Sequence, residues 1–437
     1  MTGTENRHLP SMRILMVVEN ISRRMGGESG KSFYYLRLLQ ERNIEVRAIC
    51  HGRVREELCQ EFAQDPEQFQ KIHFIDDTWY QALIWWVGKI FPYRIYDLIF
   101  NQFIHWITQY QARKLAKKLV AEHDIDLIFE PAPITPKGLS FMYNMGVPVV
   151  IGPLSGGLEF PPAFRYMDSK FSRLSIDASR FFSNILHQLV PGKLQADVLI
   201  VANKQTTDAL PKGCQGKLYP MIESGVDLDL CQPRKPRQPQ PDEIVRFIYV
   251  GRFVDWKGVE FLVEAFQHVI NHSNALLELV GDGPLQQRLE RRVEQLGIQN
   301  HVKFHGWQPR AKVVQYLREC DVFVMPSLRE AGGNSILEAM AIGLPVIVAN
   351  WAGPSQMVDS SCGIRVDPTS PKEFTEGLTN AMIDLAKSPQ LRDQMGEAAK
   401  KRVRMNYFDW NSKCDRIVEI FAETIHKTEK VPVLNRR

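Results

Sequence analysis

Short apolar runs that suit buried strands alternate along this chain with apolar positions spaced as on one face of a helix. The first run is RILMVV (13–18), and a glycine-rich turn and a helix predicted over 31–42 follow it. Because strands that alternate with helices form parallel sheets covered by helices, the pattern predicts an α/β fold. Further strands of the first half are predicted at 126–129, 148–152 and 197–202.

A polar, proline-rich stretch, CQPRKPRQPQPDE (231–243), interrupts this alternation near the middle of the chain. Its repeated prolines exclude a regular helix or a central strand, so the stretch is predicted to be a linker. The strand–turn–helix pattern then starts again, and the second half is predicted to be another doubly wound domain. Its strands are predicted at 245–253, 276–281, 302–306, 321–326 and 345–349.

Composition narrows the class of protein. The 437 residues are 44% hydrophobic and 24% charged, as in globular proteins, and a chain of this length favours two domains with a cleft. The net charge of +4 is too small for a dedicated nucleic-acid binder, so no nucleic-acid partner is expected. Seven scattered cysteines without a CxxC pair favour reduced thiols in a cytoplasmic protein over disulfides or a zinc site. Neither a signal peptide nor an apolar run of ~18 residues, as a spanning helix needs, is found.

Two cations follow the first strand of the second half, in the segment GRFVDWKG (251–258). Arg252 and Lys257 stand there between a strand and an amphipathic helix. Cations at the carboxyl end of a strand, beside a helix amino terminus, suit a diphosphate, although an isolated pair is more often solvated surface charge. The turns GDGP (281–284) and HGW (305–307) are further strand-end loops of the kind that meets a nucleotide base.

The segment EAGGNSILEAMA holds the most informative residues. Glu330 follows a strand, and Gly332 and Gly333 allow the backbone to approach a ligand closely. Ser335 is predicted to cap the next helix, whose free N–H groups favour a phosphate. Because S-x-x-E is also a capping box, the spacing of Glu338 fits a structural role as well as a ligand contact.

These motifs, in this order, resemble the family-four retaining glycosyltransferases, which have the GT-B build of two Rossmann-like doubly wound domains facing a central cleft. The matching motifs are G-R-x4-K-G, G-D-G-P, the E-x7-E pair running into LEAMAIGLPVI, SGVDLDLCQP and DWNSKCDRIVEIF. The resemblance covers about 13–424 and is tightest over 245–368. It implies an acceptor domain over 12–230 that a C-terminal helix over about 408–427 completes, a linker over 231–243, and a nucleotide-sugar donor domain over 244–407.

The resemblance also implies a donor site and a reaction. Arg252 and Lys257 would act on the donor diphosphate, Glu330 on the hydroxyls of the donor sugar, and Glu338 on the ribose. The implied reaction is transfer of a hexosyl unit, from a UDP-sugar in preference to a GDP-sugar, with no cofactor and no metal; the leaving phosphate takes the proton of the acceptor. The other donor-binding positions implied are Gly26, Gly27, Gly251, Gly283, Trp307, Gly333, Asn334 and Ser335.

The chain departs from the family's pattern at two positions. Gly332 stands where the family usually has phenylalanine, which leaves the identity of the donor sugar open. Phe129 stands where the family often has histidine, and Glu130 is the nearest ionisable group. The residues expected on the acceptor side are Lys31, Glu130, Gly156 and Gly157.

Three other functions compete with this interpretation. The segment MGGESGKS (25–32) is close to a P-loop, but Met25 stands where its first glycine belongs, and a magnesium-dependent NTPase would depend on Lys31. A nucleotide-sugar epimerase of the same build would convert its donor without an acceptor. A non-catalytic sugar-nucleotide-binding protein would bind the donor without turnover.

Residues 79–110 form an aromatic segment that holds four of the eight tryptophans, and Arg113, Lys114, Lys117 and Lys118 follow it. Aromatic side chains beside lysines suit a membrane interface, so one interpretation is peripheral contact of 79–118 with the inner face of a membrane. That would favour a lipid or lipid-linked glycan acceptor and a role in glycolipid or polysaccharide biosynthesis. The other interpretation is an aromatic helical pair in the core or at a dimer contact, with a glycan or small soluble acceptor.

Overall fold

Two parallel sheets organise the chain. The computed structural model describes residues 12–25, 27–91, 96, 100–131, 135–168, 183–234 and 244–429. The strands of the first sheet are β1 (Arg13–Val17), β2 (Glu45–His51), β3 (Ile72–Ile75), β4 (Leu127–Glu130), β5 (Val149–Leu154), β6 (Val198–Val201) and β7 (Lys217–Pro220). Those of the second sheet are β8 (Val245–Val250), β9 (Ala275–Val280), β10 (Val302–Gly306), β11 (Val322–Met325), β12 (Val346–Ala349) and β13 (Gly363–Val366).

Helices follow most of these strands. In the first half they are α1 (Gly27–Glu41), α2 (Arg55–Glu61), α3 (Pro66–Gln70), α4 (Trp79–Gly88), α5 (Asn101–Glu122), α6 (Gly192–Gln195) and α7 (Lys204–Asp208). In the second half they are α8 (Val259–Val269), α9 (Gln286–Gln295), α10 (Arg310–Glu319), α11 (Asn334–Ile342), α12 (Ala352–Met357), α13 (Pro371–Lys387), α14 (Pro389–Met405) and α15 (Trp410–Glu429). Within the described residues, no helix is both long and apolar enough to cross a membrane.

Both sheets have doubly wound topology. Their strand orders are β3-β2-β1-β4-β5-β6-β7 and β10-β9-β8-β11-β12-β13, and paired strands run parallel. In β1, Ile14 and Met16 enter one core cluster while Leu15 and Val17 enter another, as expected for a strand covered by helices on both faces. The predicted α/β fold of two Rossmann-like domains is therefore confirmed. We call the elements around the two sheets the first and the second domain.

The last helix, α15, packs on the first domain although it follows the second domain in sequence. The rings of Trp410 and Tyr34 are stacked, with centroids 4.8 Å apart, and Phe421 packs edge-on against Phe129 at 5.1 Å. Of the predicted linker, residues up to Arg234 are described, and 235–243 lie outside the described residues. The position of the linker therefore stays a prediction.

Aromatic packing joins the two domains. Phe164 of the first domain is fully buried and lies edge-on to Phe261 and Phe374 of the second, with ring centroids 5.5 and 5.8 Å apart. The indole N–H of Trp351 donates to the carbonyl of Glu159 at 2.8 Å. These contacts join the two domains, in addition to the covalent chain that connects them.

Candidate functional site

The carboxyl ends of β8 and β11 lie side by side, because these strands are neighbours in the second sheet although distant in sequence. The strand order reverses there, and ligands of open parallel sheets bind in the crevice at such a point. Arg252 and Lys257 follow β8, and Glu330 follows β11. The structure therefore brings the three residues predicted to be catalytic to one edge of one sheet.

Lys257 and Glu330 form an ion pair at this edge, and their side chains are only 19% and 18% exposed. Two hydrogen bonds join the loops that carry them. The N–H of Leu328 donates to the carbonyl of Trp256 at 2.8 Å, and the hydroxyl of Ser327 donates to the same carbonyl at 3.3 Å. Both charges are therefore held in place before any ligand arrives.

Arg252 differs from Lys257 in having an exposed side chain on a fixed backbone. Its carbonyl accepts the hydroxyl of the buried Tyr249 at 3.0 Å. A Cβ atom on Gly283 would lie only 2.5 Å from the carbonyl oxygen of Phe253, so this glycine allows the GDGP turn to pack directly on the Arg252 loop. Trp307, in the predicted base-contacting loop, is 71% exposed.

The helix after Glu330 begins differently from the prediction. Helix α11 starts at Asn334 with Gly333 as its N-cap residue, and no side chain caps it. The predicted cap at Ser335 is wrong, because Gly333 reaches the helix with a φ of 149° and Ser335 already lies inside the first turn. Its hydroxyl donates to the carbonyl of Val250 at 3.2 Å. No side chain of the N-cap residue caps α11, and apart from the Gly333 N–H, which donates to Ser224 of the first domain at 3.3 Å, N–H groups of the first turn remain suited to an anion.

Glu338 belongs to an ion pair and not to a capping box. It is 6% exposed, and one carboxylate oxygen lies 3.0 Å from Nε of Arg310. Burial raises the pKa of Glu338, and the charge and hydrogen bond of Arg310 lower it in part. Arg310 in turn adjoins Tyr34 of the first domain, whose hydroxyl donates to Asp227 at 3.1 Å. The predicted ribose residue is therefore the end of a chain of contacts between the domains.

Gly332, where the family usually has phenylalanine, lies against the first domain. A Cβ atom there would overlap the hydroxyl oxygen of Ser224 and approach Glu223 to 2.6 Å. The N–H of Gly333 donates to the Ser224 hydroxyl at 3.3 Å. Glu223 is 5% exposed, and one of its oxygens lies 3.9 Å from Nζ of Lys31. The first domain thus fills the space that a larger side chain at 332 would need.

From Gly27 onward, the segment before Lys31 is described and is helical. Gly26 lies outside the described residues, and α1 begins at Gly27, four residues earlier than the predicted helix start. Lys31 is therefore inside the helix, not at its start. Because a P-loop wraps phosphate before its helix begins, this geometry speaks against the NTPase alternative.

The remaining acceptor-side predictions fall on packed positions. Glu130 is fully buried; burial raises its pKa to about 7, while Ser140 and Lys193 lower it. The carbonyl of Gly156 accepts the hydroxyl of Thr206 at 3.0 Å, and a Cβ atom on Gly157 would overlap that of Ala209. Glu130 therefore lies in the interior of the first domain, whereas Gly156 and Gly157 are half-buried. Among the described residues, no group of three or more His, Cys, Asp or Glu side chains is placed to hold a metal ion.

Several residues of this site escape reasoning from sequence. Arg310 stands on a helix with no motif, and Tyr34 stands inside α1. Ser224 and Asp227 belong to the SGVDLDLCQP motif, so a signal for them existed, but nothing in it indicates a contact with Gly333 or Tyr34. Their partners come from the other end of the chain and are found only in the folded structure.

Comparison with known families concerns mainly the second domain. Residues 232–402 match the family model described as Glycosyl transferases group 1. The lipopolysaccharide core biosynthesis glycosyltransferase LpsE of Rhizobium meliloti is 36% identical over 174 residues, which cover 40% of this chain and 48% of LpsE. The chain spans about half the length of the curated relatives it matches.

Solved structures resemble the whole described architecture. A glycosyltransferase from Rickettsia africae superposes with a TM-score of 0.61 at 17% identity, over 96% of this chain and 99% of the other. HepE of Anabaena, solved with UDP and glucose, superposes with a TM-score of 0.56 at 20% identity, over 94% and 99% of the two chains. At these identities the likeness concerns the fold, which is the GT-B build of two doubly wound domains.

Proposed function

We propose that this chain is a group 1 glycosyltransferase, the family whose model matches residues 232–402, and that it transfers a hexosyl unit from a nucleotide diphosphate sugar to a hydroxyl acceptor, with retention at the anomeric carbon. A UDP-sugar is the favoured donor and a GDP-sugar the next. HepE, a protein of the same fold, was solved with UDP and glucose, which supports the first choice. We assign the donor to the second domain and the acceptor to the first.

The observation that carries this proposal is the half-buried Lys257–Glu330 ion pair beside the start of α11, where no N-cap side chain caps the helix. Departure of a nucleoside diphosphate builds negative charge on the phosphate, and fixed cations and N–H dipoles stabilise such charge without rearranging. In our proposal Lys257 and the exposed Arg252 bind the diphosphate. Glu330 holds Lys257 and orients the hydroxyls of the sugar. With these cations in place, the proposed reaction uses no metal.

The proposed step replaces one bond at the anomeric carbon with another. The bond from that carbon to the phosphate oxygen breaks, and its electron pair stays on the phosphate. The acceptor oxygen bonds to the same face of the sugar and gives its proton to the leaving phosphate oxygen. A separate general base is not needed, which agrees with Phe129 in place of the family's histidine. Glu338 binds the ribose hydroxyls when they displace Arg310.

The test is an assay of the purified protein with labelled UDP- and GDP-hexoses, with and without a bacterial lipid extract as the acceptor source. We expect labelled sugar in the lipid phase, and nucleoside diphosphate release, only when donor and acceptor are both present. Conversion of the donor alone to another nucleotide sugar would favour an epimerase. Donor binding without any product would favour a non-catalytic binding protein.

Helix α4 supports an acceptor at a membrane surface. Trp79, Leu83 and Trp86 lie on α4 at i, i+4 and i+7, and Ile90 lies two residues beyond the end of the helix; they are 78%, 51%, 63% and 74% exposed. We call these four residues the apolar stripe. Burial in the core therefore does not explain them, and an exposed apolar stripe of this length marks an interaction surface. The exposed lysines of α5 favour an anionic membrane as the partner, and we propose peripheral contact there.

The double variant Leu83→Ser, Trp86→Ser should weaken binding to vesicles that contain phosphatidylglycerol. Each side chain loses roughly 1.5–3 kcal/mol of apolar burial, so the vesicle affinity should fall at least about tenfold. Co-sedimentation measures this. The matched control is Leu218→Ser, Met405→Ser, which removes two exposed apolar side chains from other surfaces. Equal losses in both variants would contradict membrane contact through α4.

A further inference from the structure

A pocket of about 580 Å³ opens at the carboxyl edge of the first sheet, outside the donor site. It lies where the order of this sheet reverses between β1 and β4, the position at which such sheets bind ligands. Residues from the ends of β1, β2 and β3 line one side, and α4 and α5 line the other. Among them are Glu19, Arg53, Asp77, Gln81, Trp85 and His105.

The strand-end side of this pocket is rich in hydrogen-bonding groups but offers little free positive charge. Glu19 accepts hydrogen bonds from His105 Nδ1 at 2.5 Å and from the guanidinium of Arg53 at 3.1 Å. Burial raises the pKa of Glu19, but the hydrogen bond and charge of His105 outweigh it, so the pKa is lowered and Glu19 is ionised. A second carboxylate, Asp77, lies 3.2 Å from His51 Nε2 and is 55% exposed. An anionic head group would meet these two carboxylates, whereas hydroxyl groups can donate to them.

The helical side of the pocket combines apolar and polar side chains. Trp85, Ala82 and Ile104 are the apolar ones, and Gln81, Asn101, Gln102 and His105 are the polar ones. Nζ of Lys89 lies 3.4 Å from the ring centroid of Trp85, which holds the indole in place. The buried amide of Gln81 donates to Thr108 at 2.9 Å and so fixes α4 to α5. Because Ala82 of the pocket wall and Trp86 of the apolar stripe are four residues apart on α4, and are therefore neighbours on the helix surface, the pocket wall borders the apolar stripe.

We infer that this pocket binds the sugar head group of an acceptor with an apolar tail, such as a glycosylated lipid. The inference rests on the proposed function, since it places the acceptor of that reaction. Carboxylates beside an indole ring suit a sugar: hydroxyls donate to Glu19 and Asp77, and the C–H face of the ring packs on Trp85. The tail leaves the pocket along the apolar stripe toward the membrane surface. The sugar thus reaches the first sheet while the lipid stays anchored.

The test is binding without donor, so that its result does not depend on turnover. The probes are octyl β-glucoside, methyl β-glucoside and octyl phosphate, each below its micelle-forming concentration. Ligand-observed NMR titration gives the dissociation constants. We expect octyl β-glucoside to bind about tenfold more tightly than either other probe, because only it has both a sugar head and an apolar tail. Equal affinity for octyl phosphate, or for methyl β-glucoside, would overturn the inference.

Two pairs of variants locate the binding. Asp77→Asn and Trp85→Ala should each weaken octyl β-glucoside binding about tenfold. The controls Asp76→Asn and Tyr110→Ala should leave it within about twofold, because Asp76 pairs with Arg55 at 2.9 Å and Tyr110, 49% exposed on α5, belongs neither to the pocket lining nor to the apolar stripe. The same loss in both members of a pair would place the glucoside elsewhere. Tight glucoside binding without any sugar transfer would instead refute the proposed reaction and leave the pocket as a binding site.

Discussion

Replacement of Lys257 by alanine should lower the turnover of sugar transfer by a factor on the order of 100 to 1,000. Lys257 is a half-buried cation held by Glu330 at the edge where β8 and β11 meet, so in our proposal it stabilises charge on the departing diphosphate without having to move. The affinity for UDP should also fall, because Glu330 would remain without its positively charged partner and its carboxylate would repel the diphosphate. Steady-state kinetics and UDP titration by calorimetry measure the two effects.

Two further variants distinguish the effect of a cation at position 257 from the effect of losing any lysine of the second domain. Lys257→Arg keeps the cation but changes its shape, so partial activity should remain. Lys372→Ala removes a lysine that is 87% exposed on α13 of the same domain, and it should leave turnover unchanged. If Lys257→Ala turned over as fast as the native protein, the donor site would not be where we place it.

The variant Glu338→Ala should weaken UDP binding by about 10- to 100-fold, because hydrogen bonds from the ribose hydroxyls to the carboxylate are lost. Titration with UDP by calorimetry measures this loss.

The variant Arg310→Met tests the same carboxylate through the pH dependence of UDP binding. Burial already raises the pKa of Glu338 and Arg310 lowers it, so removing Arg310 should raise the pKa further. More of Glu338 is then protonated at low pH. As the pH is lowered, the UDP affinity of Arg310→Met should therefore fall more steeply than that of the native protein.

The matched control for Arg310→Met is Lys312→Met, which removes an exposed cation from the same helix, where it donates to Gln315 at 2.9 Å. Its pH profile should match the native one. Calorimetric titration with UDP at three pH values compares the proteins. Identical profiles for Arg310→Met and the native protein would mean that the Glu338 carboxylate does not contact the nucleotide.

The strands that follow from sequence are those with uninterrupted apolar runs. Buried strands such as β1 and β11 are recognisable because helices cover both faces, and local composition then suffices. The strands that the pattern did not reveal are mixed or short. β2 (EVRAICH) carries charged side chains among its buried ones, and β7 (KLYP) is an edge strand with one buried residue. At such positions pairing with a neighbour decides the structure, and the neighbour is distant in sequence.

In the candidate site, too, some residues could be predicted from the sequence and others could not. Arg252, Lys257 and Glu330 could be predicted because strand-end loops of parallel sheets meet at one edge. The pairing of Glu338 with Arg310 and the cap of α11 could not, since both depend on how helices pack and on one glycine conformation. The pocket of the first domain was missed because Glu19, Asp77 and His105 are ordinary polar residues in sequence. These residues are distant in sequence and come together only in the folded structure.

In our proposal, the hydrogen bond between Gly333 and Ser224 links donor binding to the arrangement of the two domains. The N–H of Gly333, at the start of the proposed anion site, is engaged by a hydroxyl of the other domain at 3.3 Å. A donor that binds this start must compete with Ser224 or bind alongside it. Its affinity therefore differs between arrangements of the domains, and by reciprocity each donor molecule bound shifts the population of those arrangements. Part of the free energy of donor contacts at the second domain would then be spent on reorienting the first domain.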